Sequence, residues 1–219
     1  MSFEELKTRF KKRLKIRRAE AQEARRRKDL LVESVRTHLL PVLLQRGFVA
    51  VPLEAIGSVG RKSVSTSPFG RLWRRRPDGG IDQVEIQFST YERAAFRIKA
   101  CAVPKEGMMT DTGHKTSEEC VALGVHDLET HARPWLRPIL RAIGLEPLGE
   151  WFSVWHWPLR PPTRADYDKL ALRAVAILPE LELALHERNL GPHMRRLEFK
   201  PLPPEVLERM RRLKEEHRL

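Results

Sequence analysis

The segment from Phe69 to Val103 decides the fold. It reads FGRLWRRR over residues 69–76, PDGG over 77–80, IDQVEIQFS over 81–89, TYER over 90–93 and AAFRIKACAV over 94–103. Apolar residues alternate with polar ones in the third and fifth pieces, which predicts two half-buried strands. The Pro-Asp-Gly-Gly piece supplies the fixed and positive φ angles of a tight reversal. The segment therefore predicts a three-stranded antiparallel meander with one apolar face and one face of arginine and lysine.

Helical patterns flank the meander on both sides. A helix that Pro41 kinks or breaks is expected to end near Gly47, with the glycine in the left-handed conformation. Thr163 with Asp166 predicts a capped helix start, and Pro179 is expected to interrupt that helix. An apolar helix over 135–145 and an aromatic strand over 151–157 complete the pattern. We predict an α+β fold, in which an antiparallel meander sheet of about four strands packs against helices.

Charge divides the chain unevenly. The net charge is +12, from 41 Lys and Arg against 29 Asp and Glu, and the sequence pI is near 10.2. Residues 1–36 hold 13 basic and 6 acidic side chains, so more than half of the excess lies there. Such a balance favours an anionic partner. We predict a basic helical extension over 1–36, an α+β domain over 37–200 and a short amphipathic helix over 201–219.

The apolar content is typical of a folded domain outside the membrane. Hydrophobic residues make up 41% of the chain, which suffices for a core. The two cysteines, the absence of an apolar leader and the absence of any run of 18 uncharged apolar residues predict a cytoplasmic protein without membrane spans.

The N-terminal helix admits three interpretations. Ser2 and Glu5 form a capping-box pattern, and apolar residues follow at Phe3, Leu6 and Phe10. The basic middle of this helix could be a solvated face whose arginines pair with acidic neighbours, an arm that contacts phosphates, or a helix lying on a membrane surface. The candidate nucleic-acid-binding residues are Lys11, Lys12, Arg13, Lys15, Arg17, Arg18, Arg25, Arg26, Arg27 and Lys28 in this helix, with Arg71, Arg74, Arg75 and Arg76 in the first strand of the meander.

The chain resembles the bacterial family called domain of unknown function 4304. The residues that carry the resemblance are Gly47 and Phe48 at a helix end, the pattern Ile86-Gln87-x-Ser89, and the alternation that starts at Phe96 and Ile98. Isoleucine at 86 replaces the aromatic that is usual in the family. The resemblance covers residues 37–195 approximately. It implies a fold but no activity, because the family has no established one.

Other chemistry finds little support in the sequence. His114, Cys120, His126 and His131 could bind zinc, but their spacing matches none of the close-pair zinc motifs. No nucleophile elbow, phosphate loop or HExxH pair is present, so we expect no metal, no cofactor and no catalytic residues. Trp155 and Trp157 fit a buried strand better than a base-stacking platform.

Two functions remain open. The first is a non-enzymatic protein that contacts nucleic-acid phosphates through the N-terminal helix and through the hairpin arginines, the name we use for Arg71, Arg74, Arg75 and Arg76. The alternative is a protein-interaction module, such as a regulatory, immunity or complex subunit, whose terminal helices bind a partner or a second copy.

Overall fold

The fold is that of a computed structural model, which describes residues 3–51, 66–90, 94–110, 113–118, 126–128, 152–154, 161–187, 191–196 and 208. The helices are α1 (Phe3–Ser34), a π-helical turn (Val35–Leu39), α2 (Leu40–Gln45) and α3 (Arg164–His186). The strands are β1 (Val49–Val51), β2 (Arg71–Arg75), β3 (Ile81–Phe88), β4 (Ala95–Val103), β5 (Met108–Thr110), β6 (Gly113–Lys115), β7 (His126–Leu128), β8 (Phe152–Ser153) and β9 (Met194–Arg196).

An open antiparallel sheet of seven described strands forms the centre of the fold. Its order is β1-β2-β3-β4-β7-β9, and β8 pairs with β4 beside β7. The predicted meander is confirmed as β2, β3 and β4, and its register pairs Leu72 with Val84 and Phe88 with Phe96. The α+β class is likewise confirmed. The sheet is wider than the four strands expected. β8 lies within the predicted aromatic strand over 151–157, whereas the short strands β7 and β9 come from segments with no clear alternation.

One face of the sheet packs against the helices. Phe88, Phe96 and Phe152 lie side by side on it, with ring centroids 5.9 and 4.8 Å apart. The core also contains buried residues from α1 and the turns after it, from the meander and from α3, namely Leu31, Val35, Leu39, Leu43, Leu72, Val84, Ile86, Ile98, Tyr167, Leu170, Leu178, Leu181 and Leu185. Burial of this apolar surface is the main term that stabilises the domain.

Pro41 leaves the N-terminal helical run unbroken but widens it. Proline has no N–H to donate and its ring crowds the preceding turn. The chain responds with the π-helical turn just before Pro41, in which the Leu40 N–H donates to the Val35 carbonyl. The run then ends as predicted at Gly47, whose φ is +86°. The Phe48 N–H donates to the Leu43 carbonyl (3.2 Å), which closes the helix end.

α3 begins as predicted but continues through Pro179. The Thr163 N–H and hydroxyl both donate to the Asp166 carboxylate at 2.9 Å. The expected interruption at Pro179 is wrong, since the helix runs on to His186. Leu178 and Leu181 are both fully buried beside the proline, and we attribute the continuity to this packing, which offsets the lost backbone hydrogen bond.

Several sequence predictions fall outside the described residues. They are the helix over 135–145, most of the aromatic strand over 151–157 and most of the C-terminal helix over 201–219, of which Glu208 alone is described and is helical. None of the described helices combines the length and the apolarity that a membrane span requires.

Candidate nucleic-acid interface

The N-terminal part of α1 projects from the domain. Among the α1 residues whose side chains are described, Leu31 is the first that is fully buried. Residues 16–20 are all exposed, and Phe10 and Ile16 expose 64% and 49% of their surface. We call residues 3–28 the N-terminal arm. At about 1.5 Å per residue, the 20 residues before Glu23 extend for about 30 Å.

The described basic side chains of the arm exceed its acidic ones. Arg17, Arg18, Arg25 and Arg26 are exposed, whereas Arg27 and Lys28 are half-buried. Glu23 pairs with both Arg26 (3.4 Å) and Arg27 (3.1 Å). The predicted pairing with acidic neighbours is thus present. It leaves an excess of positive charge, because one carboxylate serves two arginines.

Two of these arginines share one face of the helix. Arg18 and Arg25 are seven residues apart, which is about two turns or 10.5 Å. They lie roughly 120–140° around the helix from Leu31, at about 100° per residue, and therefore point away from the core side of α1. The backbone of Lys11, Lys12, Arg13 and Lys15 continues the helix, but their side chains are outside the described part of the structure.

Three of the four hairpin arginines are buried or largely buried. Arg71 is 3% exposed, and Arg74 and Arg76 expose only 19% and 17% of their side chains. Arg76 donates to the Val103 carbonyl (3.2 Å) and lies 3.3 Å from Asp78. Burial counts against contacts between these three residues and the backbone of a nucleic acid, and Arg74 and Arg76 also have internal acceptors. Arg75 is the accessible member of the group, with 73% of its side chain exposed and an ion pair with Glu118.

Arg74 joins the sheet to the C-terminal end of α3. Its guanidinium donates to Glu182 from Nη1 and Nη2 (3.1 and 2.7 Å) and to Asp82 from Nε and Nη2 (3.3 and 2.8 Å). It also donates to the Arg46 carbonyl (3.2 Å) and lies 4.5 Å from the centre of the Phe48 ring. Asp82 is fully buried. We call Arg74, Asp82 and Glu182 the edge cluster.

The electrostatics of the edge cluster follow from these contacts. Burial would raise the pKa of Glu182, but the hydrogen bonds and charge of Arg74, with help from Arg46, outweigh it and hold that pKa below its usual value. Burial opposes the charge of Arg74 too, and the two carboxylates more than compensate, so the pKa of Arg74 is raised. The edge cluster is a structural ion-pair network in which one guanidinium serves two carboxylates, and Arg46 and Arg76 supply further positive charge beside them.

The edge cluster and the N-terminal arm lie at opposite ends of the helical layer. Ser34 Oγ donates to Asp168 (2.7 Å) near the start of α3, while Arg46 lies 3.5 Å from Glu182 near its end. The N-terminal helical run is therefore parallel to α3, and the arm continues beyond the start of α3. The 14 residues from Asp168 to Glu182 span about 21 Å. This arrangement does not bring the hairpin arginines next to the described arginines of the N-terminal helix, with which they were predicted to bind nucleic acid.

A polar network on the other face of the sheet has no counterpart in the predictions. Glu85 Oε1 accepts hydrogen bonds from Ser67 Oγ (2.6 Å) and Gln87 Nε2 (3.0 Å). Gln87 Oε1 in turn accepts from Arg97 Nε and Nη2 (3.1 and 3.0 Å). Glu85 and Ser67 expose only 6% and 1% of their surface. Alternation alone could not reveal this network, because it makes the face look solvated.

The metal and stacking hypotheses gain nothing from the described residues. Among them, no group of three or more histidine, cysteine, aspartate or glutamate residues could hold a metal ion. His114 is exposed in β6 and His126 lies in β7, whereas Cys120 and His131 are outside the described ranges. Trp155 and Trp157 are outside them as well.

The comparisons with known proteins leave the family open. No family model, no curated protein and no solved structure matches this chain significantly. The resemblance to domain of unknown function 4304 stays a prediction, and the function must be argued from the geometry alone.

Proposed function

We propose that this protein binds nucleic acid without sequence preference, through the N-terminal arm. The observation that carries the proposal is the set Arg17, Arg18, Arg25 and Arg26, four exposed guanidiniums on a helix that projects from the domain. Guanidiniums bind phosphate oxygens in a planar, often bidentate geometry. A helix that stands clear of its domain can approach a duplex without a collision between the duplex and the sheet.

Affinity would come from counterion release. Four phosphate contacts correspond to a slope of log K against log salt of about −3.6 on duplex DNA. Binding would therefore weaken roughly 150-fold between 50 and 200 mM salt. Charge of this kind contacts the backbone and reads no base edge, so two unrelated duplexes should bind alike.

The test compares two variants with the same change in net charge. One replaces Arg17, Arg18, Arg25 and Arg26 with glutamine. The control replaces four exposed basic residues of the domain with glutamine, namely Lys105, Arg164, Lys169 and Arg173. Fluorescence anisotropy would follow two unrelated 20-base-pair duplexes over a range of salt concentrations.

The proposal expects the arm variant to lose most of its affinity and most of its salt slope, while the control keeps both. Equal losses in the two variants would show that net charge, and not the arm, attracts the duplex. Absence of binding by the unmodified protein at 50 mM salt would end the proposal.

Exposed apolar residues on the arm support a second candidate function, recognition of another protein. Phe10 and Ile16 lie on the arm with 64% and 49% of their surface exposed. Amphipathic helices dock through residues of this kind. The test is purification from nuclease-treated lysate at high salt, with Phe10→Ser/Ile16→Ser as the matched variant. A stoichiometric protein retained by the unmodified chain and lost with the variant would favour this function over nucleic-acid binding.

A further inference from the structure

Arg71 is a buried charge on the side of the sheet that faces away from the helices. Its neighbour Leu72 belongs to the core between sheet and helices, so the alternation of β2 directs Arg71 to the opposite face. The residue is 3% exposed. Its Nε and Nη1 atoms are buried and have no hydrogen-bond partner among the described residues.

One oxygen of the carboxylate nearest to Arg71 in the sheet is already engaged. Glu85 lies directly across from Arg71 in the register, and its Oε1 accepts from Ser67 and Gln87. No ion pair within 4 Å joins Arg71 to a described carboxylate. Burial lowers the pKa of Arg71, and the charge of Glu85 opposes this effect only in part. A guanidinium remains charged at physiological pH, so the donors on two of its nitrogen atoms lack acceptors among the described residues where water is excluded.

The row of residues around Arg71 carries more positive than negative charge. Following the register across the sheet, Arg71 is paired with Glu85 and Glu85 with Lys99. This part of the row contains two basic residues and one acidic residue. Arg97 adds a further guanidinium one position along the same face of β4. An added anion would bring this part of the sheet closer to neutrality.

We propose that Arg71 anchors a binding site for a small oxyanion, a phosphoryl or carboxylate group, on the face of the sheet opposite the helices. The oxyanion oxygens would accept from Nε and Nη1, and charge-assisted hydrogen bonds of this type are among the strongest in proteins. The burial of Arg71 selects a small ligand and excludes a polymer backbone. The site is separate from the N-terminal arm, since the sheet lies between Arg71 and the helical layer.

The experiment is a thermal-unfolding titration with inorganic phosphate, and in parallel with succinate, at constant ionic strength. Arg71→Met is the test variant. Arg75→Met is its matched control, because Arg75 lies on the same strand and the same face but is 73% exposed. The arm variant with four glutamines is the second control, since its arginines could also attract phosphate. The two anions distinguish a phosphoryl ligand from a carboxylate ligand.

At about ten times the dissociation constant, the bound anion should raise the Tm of the unmodified protein by about 3–6 °C. Arg75→Met and the arm variant should keep this rise and Arg71→Met should lose it. If Arg71→Met does not fold, Arg71→Lys serves instead. Lysine presents one ammonium group in place of the planar guanidinium, so the apparent affinity for the anion should fall at least several-fold. A Tm of the unmodified protein that responds to neither anion, or an equal response in the Arg71 variants, overturns the proposal. If the arm variant alone loses the rise in Tm, the proposal is overturned as well, because the anion would then bind to the N-terminal arm.

Discussion

Replacement of Arg74 by methionine should destabilise the protein strongly. Arg74 Nη2 lies 2.7 Å from a Glu182 oxygen and 2.8 Å from an Asp82 oxygen, and Asp82 is fully buried. Methionine keeps an unbranched stem against Phe48 but removes the charge that both carboxylates share. Removal of one partner from a buried ion pair costs about 3–5 kcal/mol. This is a large part of the roughly 5–15 kcal/mol by which a domain is stable.

The assay is equilibrium unfolding by urea and by heat. For a chain of this size the loss corresponds to a fall in Tm of about 6–20 °C. Arg75→Met is the matched control, because it removes the same charge from the adjacent residue, whose ion pair with Glu118 is exposed. This change should lower the free energy of unfolding by only about 0–1 kcal/mol. A third variant combines Arg74→Met with Glu182→Gln. Its loss of unfolding free energy should be smaller than the sum of the losses in the two single variants.

Similar unfolding free energies for Arg74→Met and Arg75→Met would refute this reasoning. They would mean that water or a shift of α3 compensates the two carboxylates once the guanidinium is absent. A double variant whose cost equals the sum of its parts would refute the direct coupling between Arg74 and Glu182.

Two more predictions follow from the same region. The folded-state pKa of Glu182 lies below its usual value, so the stability that its charge contributes is present above about pH 5 and is lost as the pH falls through the folded-state pKa. Glu182→Gln should therefore lower the Tm at pH 7 and lower it less at pH 3.5. A difference in Tm between the variant and the unmodified protein that is the same at both pH values would contradict this. Gly47→Ala should lower the free energy of unfolding in urea by about 1–2 kcal/mol, because the φ angle of +86° is unfavourable for alanine. The new Cβ would lie 3.5 Å from Arg74 Cδ, an ordinary contact, so the cost comes from the backbone. An unchanged urea midpoint would show that the backbone relaxes.

Local patterns were sufficient to predict the parts of the fold that local physics determines. The alternation around Val84 and Phe96 predicted two strands, and the turn residues between 77 and 80 predicted their reversal. The helix end at Gly47 followed from a single glycine. These features depend on residues close together in the chain, so one sequence contains the whole signal.

The roles of the hairpin arginines could not be predicted in the same way. Arg74 and Glu182 are 108 residues apart in the chain, and no periodicity connects them. Arg71 looks like a solvated residue on an alternating strand, but it is buried on the second face of the sheet. A strand pattern shows which residues share a face and leaves open whether other parts of the chain cover that face.

The exposed arginines of the arm were predictable because they need no partner. A helix with few apolar residues among its charges has no side to bury, and such a segment extends into solvent or to a binding partner. Its sequence therefore predicts its exposure.

The π-helical turn before Pro41 determines the rotational phase of the arm. Leu31, Val35, Leu39 and Leu43 are all buried at strict spacings of four. In a regular α-helix those 12 residues would rotate the last of them roughly 120° away from the first. The wider turn removes part of that rotation. Deletion of one residue there would rotate the arm by about 100° relative to the sheet. The direction in which Arg18 and Arg25 point therefore depends on a single backbone irregularity at least ten residues away.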